Sequence, residues 1–118
     1  MTPKEFVACF AREKDELVRE YMDGTESAGA ALVAELKLPP AKAAKCRAIL
    51  DSLLTDAFYT VLLALDGAAS LGGKQMAYSV RDEKGKELAG GELEGHAWER
   101  FHGPAARPRR ARRTRKRA

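Results

Sequence analysis

A chain of 118 residues, 45% hydrophobic and 32% charged, points to one domain with a single modest core. Its net charge of +4 conceals a split, because eight of the 21 Lys and Arg residues fall within 104–118, where no acidic side chain occurs. That leaves 13 basic against 17 acidic groups elsewhere, so an acidic body near −4 carries a basic tail.

Thr2-Pro3-Lys4-Glu5 forms a capping box, in which Thr2 and Glu5 each reach the other's amide while Pro3 suits the first helical turn. Phe6, Val7, Phe10, Leu17, Val18, Tyr21 and Met22 then follow helical spacing up to Asp23-Gly24. Thr25 is the expected cap of a second helix running to about Lys37, with Ala28, Ala31, Leu32, Glu35 and Leu36 along one side. Pro39-Pro40 ends that helix and starts the next. Residues 41–48 are rich in alanine and lysine and lead into a central helix. Its apolar face comprises Leu50, Leu53, Leu54, Ala57, Phe58, Val61, Leu62 and Leu65, widened by Ile49, Leu63 and Ala64. Asp66-Gly67 supplies the stop.

Beyond the glycine-rich turn the period changes. Met76, Tyr78 and Val80 alternate with Ala77, Ser79 and Arg81 as in a half-buried strand, residues 82–85 form a turn, and residues 86–89 return as a second strand. A last helix is expected over residues 92–102, with Leu93, Ala97, Trp98 and Phe101 at helical spacings. Gly95 weakens it by about 1 kcal/mol relative to alanine, and Gly103-Pro104 ends the fold. The expected class is α+β: three N-terminal helices, the long central one among them, a β-hairpin and a C-terminal helix. This domain spans residues 1–103, and a disordered Arg-rich tail spans 104–118.

Lys4, Glu5, Arg12 and Glu13 interrupt the N-terminal apolar residues, against a secretory signal peptide. The richest apolar run, residues 61–65, is too short for a bilayer, so a soluble, cytoplasmic protein without a membrane span is expected. Cys9 and Cys46 are far apart and read as buried thiols rather than a disulfide.

Candidate chemistry is sparse. The stretch from Gly67 to Gln75 invites comparison with a phosphate-binding loop. An extra glycine precedes Lys74, Gln75 replaces the magnesium-binding hydroxyl, and the order runs helix to strand, so a structural turn is favoured. His96, Glu99 and His102 are spaced to share a helix side, but no second element supplies further metal ligands. Asp51, Thr55, Asp56 and Tyr59 form a polar strip on the central helix. Asp56 is expected to bond the Tyr59 hydroxyl or an amide of the glycine turn in a structural network, since no nucleophile–base–orienter set accompanies it. No enzyme activity, cofactor or metal is expected.

The segment from Asp56 to Gly73, D-x-F-Y-T-x-L-L-x-L-D-G-x-A-S-x-G-G, together with Gln75, Tyr78, Asp82, Gly85, Glu92 and the block from Ala97 to Phe101, resembles a signature of small bacterial proteins without an assigned activity. By size, acidity and missing chemistry, the chain also resembles immunity proteins of bacterial toxin systems. That resemblance implies a non-enzymatic module that neutralises a basic toxin domain by binding it. Glu92, Glu94, Trp98 and Glu99 are the candidate interface residues, as aromatic anchor and steering charges. The alternative is an accessory nucleic-acid-binding protein acting through Arg107, Arg109, Arg110, Arg112, Arg113, Arg115, Lys116 and Arg117. With no aromatic residue to stack a base, that binding would be non-specific.

Overall fold

A computed structural model describes residues 1–104. The eight basic side chains of the tail lie outside the described residues. Four helices are present among the described residues: α1 (Pro3–Asp23), α2 (Ala28–Glu35), α3 (Pro40–Leu65) and α4 (Leu93–Phe101). The chain divides into two compact units. One comprises Met1–Ala8 and the chain from Tyr59 onward, the other Cys9–Phe58.

The expected α+β class is overturned. Among the described residues there is no strand, only isolated antiparallel bridges between Leu71 and Lys74 and between Arg81 and Glu87. The fold is helical, with an irregular connection between α3 and α4. The turn of the expected hairpin does form, with the Asp82 N–H donating to the Lys86 carbonyl at 3.1 Å and the Leu88 N–H to the Val80 carbonyl at 2.7 Å. The ladder goes no further because a side chain competes for it. Glu87 accepts the N–H of Val80 at 2.9 Å, the amide that would otherwise donate to the Leu88 carbonyl as the next rung. Nor does the outer segment gain a buried face: Met76 and Tyr78 are exposed and Val80 is half-buried. Two short strands without a covered face are marginal in water.

The helix ends follow local chemistry. Thr2 Oγ1 accepts the Glu5 N–H at 3.0 Å, and Glu5 Oε1 accepts the Thr2 N–H at 2.7 Å. The cap of α2 is Ser27 rather than Thr25, its hydroxyl accepting the Ala30 N–H at 3.1 Å. The Glu20 carboxylate takes the N–H groups of Glu26 and Ser27, which holds those residues outside the helix and moves its start downstream. α3 closes with a Schellman arrangement: Ala68 N–H to the Leu63 carbonyl at 2.9 Å, Gly67 N–H to that of Ala64 at 3.0 Å, and Gly67 at φ 79°. Gly72 and Gly73, at φ 61° and 84°, then form the centre of a tight turn closed by two backbone bonds between Leu71 and Lys74. Positive φ at both central positions marks the two-residue hairpin turn.

In the first unit the core is Val7, Leu62, Ala64, Leu88, Leu93, Ala97 and Phe101, each at most 6% exposed. In the second, Ala11, Val18, Ala30 and Thr55 are buried, and Phe10 meets Phe58 edge to face at 5.6 Å. Lys14 Nζ joins α1 to the α3 strip, 3.1 Å from both Asp51 Oδ1 and Thr55 Oγ1. On the apolar face expected of the central helix, Leu62 is fully buried, Leu54, Phe58, Val61 and Leu65 are half-buried, and Leu53 is exposed. No disulfide links the cysteines, and Cys9, expected to be buried, is exposed. Taken over its length, α3 is long and apolar enough to cross a membrane, with 11% of that stretch buried.

Candidate functional site

The side chains with functional potential in the first unit are gathered on α4 and its approach. Residues 90–92, Gly-Gly-Glu, offer no Ser, Thr, Asp or Asn to cap this helix, and the boundary residue Glu92 makes no side-chain cap. The cap comes from the far end of α3. Asp66 Oδ2 accepts the Glu94 N–H at 2.9 Å, and Asp66 Oδ1 accepts the Gly91 N–H at 3.2 Å. A carboxylate there satisfies amides that the helix leaves unpaired and sits favourably against its positive end. Replacing Asp66 with alanine should lower stability by roughly 1 kcal/mol, as for loss of an N-cap. Asparagine at the same position should recover part of that loss, read from urea unfolding of the three proteins.

Asp66 fixes the start of α4, and the helical period fixes its rotation. Leu93, Ala97 and Phe101 recur every fourth position and are buried. Glu94, Trp98 and Glu99 are consequently turned outward, and Trp98 is 50% exposed. Glu92 is exposed on the approach to α4, its carboxylate 4.0 Å from His96 Nε2. Three of the four expected interface residues thus line the open side of one helix, with Glu92 beside its first turn. The C-terminal end is tied by the N–H groups of His102 and Gly103, both donating to the Trp98 carbonyl at 2.7 and 2.8 Å. His102 meets the Tyr59 ring edge-on, with centroids 4.6 Å apart.

Among the described residues, the polar network expected at Asp56 is not formed. Asp56 is exposed, Tyr59 contacts His102 instead, and Gly67 receives its side-chain bond from Gln75, whose Nε2 donates to the Gly67 carbonyl at 2.8 Å. The carboxylate that organises this region is Asp66, which sequence reasoning treated only as part of a helix stop. The missing cap before Leu93 was the available signal, since those amides need a partner from elsewhere. Among the described residues, no group of three His, Cys, Asp or Glu side chains is placed to hold a metal ion.

The connection bears two further organised carboxylates. Asp82 is held below the ordinary carboxylate range, chiefly by the Lys86 N–H and then by the Met1 amino group at 3.1 Å. Glu87 is lowered first by the Val80 N–H and then by the Ser79 hydroxyl. Both therefore stay ionised at neutral pH. The chain matches no family model, no curated protein and no solved structure.

Proposed function

We propose that the chain is a non-enzymatic protein-binding module that docks on a basic protein surface through the open side of α4. The observation that carries this reading is Trp98, a large aromatic half-exposed between Glu94 and Glu99 on a helix whose other side is fixed in the core. Tryptophan is among the residues most enriched at interface hot spots. Carboxylates around such an anchor act mainly on encounter and on rejection of wrong partners. The resemblance to immunity proteins makes a basic toxin domain the specific form of this partner.

The test is kinetic. A protein captured on the immobilised full chain should associate more slowly with the Glu94→Lys, Glu99→Lys variant, and the salt dependence of its association rate should flatten. Stability should change by no more than about 0.5 kcal/mol, as for exposed positions. A partner whose association rate ignores both reversals counts against this surface. The tail's charge favours a second reading, accessory nucleic-acid binding. Removing residues 104–118 separates the two, because salt-sensitive nucleic-acid affinity should vanish while protein binding through α4 persists.

A further inference from the structure

In the second unit, burial and apolar content are mismatched. Its buried set contains one large aliphatic residue, Val18, whereas Leu32, Leu36, Ile49 and Leu53 are 57–63% exposed. Two of these sit in an ordered stripe on α3. At 100° per residue, Lys42, Lys45, Ile49, Ser52, Leu53 and Asp56 fall on one side of the helix, and all six are exposed. Thr55 and Phe58, which contact α1 through Lys14 and Phe10, occupy the opposite side. An open depression on the stripe is lined by Ala48, Ile49, Ser52, Leu53 and Asp56.

The charges on the stripe are polarised. Lys42 and Lys45 lie at its N-terminal end, Asp56 at its C-terminal end, and the apolar pair between them. Lys45 and Asp56 are about 16 Å apart along the axis at 1.5 Å per residue, too far to pair within one helix. The pattern is self-complementary when reversed. We infer that this stripe is a two-fold self-association surface, on which α3 of a second copy lies antiparallel. With the axis between Ile49 and Leu53, Ile49 meets Leu53 of the second copy, and Lys45 comes beside its Asp56. Each contact occurs twice, as an isologous interface requires. A parallel pair would set lysine against lysine and aspartate against aspartate. The chain's own Arg-rich tail is a poor occupant, since the stripe carries two lysines and one carboxylate. A lipid surface is disfavoured by Asp56, which lies on the stripe itself.

The experiment is sedimentation velocity on the full chain over a wide concentration range. A concentration-dependent dimer is expected, with Leu53→Asp or Ile49→Lys raising its dissociation constant at least about tenfold, as for central interface residues. Helical circular dichroism should be unchanged, because both positions are exposed. Lys45→Glu and Asp56→Lys should each weaken the dimer several-fold, and the double variant should recover it, which depends on the antiparallel register and not on folding. Trp98→Ala should leave the dimer intact, so this inference stands or falls apart from the α4 reading. A chain monomeric throughout, a dimer indifferent to Leu53→Asp, or a double charge variant no better than the singles overturns it. So does loss of the dimer on removing residues 105–118. The inference also fails if a monomeric chain cosediments with phosphatidylserine vesicles and Leu53→Asp abolishes that binding.

Discussion

Replacing Leu62 with alanine should destabilise the protein by roughly 2–5 kcal/mol, the range for deleting a fully buried aliphatic side chain. Leu62 is wholly inaccessible, and the core of its unit is completed by residues from α1, the connection and α4. So few elements leave little freedom to collapse into the vacated space, which favours the upper part of the range. Small domains are stable by only about 5–15 kcal/mol, so the loss is a large fraction of the whole. Phe58→Ala provides the contrast. Its ring is half-buried and rests edge-on against Phe10, so the change should cost less than the roughly 3–5 kcal/mol of a fully buried phenylalanine. Urea midpoints for both variants, at unchanged slope, check the ordering. A Leu62→Ala protein as stable as the parent would contradict the core described above.

The Trp98→Ala variant should lose about 2 kcal/mol or more of partner affinity, a roughly 30-fold rise in Kd, while folding stability changes little. The structure separates these outcomes in a way that residue type cannot. A core tryptophan would cost about 3–5 kcal/mol of stability on truncation. Here the neighbours at helical spacing, Leu93, Ala97 and Phe101, are buried while the indole remains half in solvent. Calorimetric titration of the captured partner together with thermal unfolding of the free variant makes the measurement. Unfolding of the variant would place Trp98 in the core, and unchanged affinity would remove it from the interface.

Local signals were legible in proportion to their range. The Thr2–Glu5 box, the glycine stop at Gly67 and the turn at Gly72-Gly73 are each decided within a few residues, and each is found where the sequence indicates. The alternation around Met76, Tyr78 and Val80 misled because it registers side-chain pattern and not competition for the backbone. Glu87 is itself part of the returning segment, and its carboxylate takes the Val80 amide that the next rung of a ladder would use. The rotation of α3 was equally hidden. A helix apolar on most sides does not declare which side faces inward, and Lys14 on α1 draws Asp51 and Thr55 toward it while Leu53 is left outside. On α4 the period grouped Trp98 with Leu93, Ala97 and Phe101, yet those three are buried and the indole is half exposed. The anchor of α4 was not readable either, because Asp66 lies 28 positions before the amide it caps.

The clasp formed by Asp66 also bears on how this chain can change over generations. By holding the end of α3 to the start of α4, it fixes both ends of the intervening connection independently of that connection's length. Within it, residues 70–79 are exposed without a break. Lengthening such a closed loop costs only about 0.6 kcal/mol for each doubling. Insertions in this arc can therefore alter its outline and chemistry while the buried residues of α3 and α4 keep their places, making it the stretch where diversification meets least resistance.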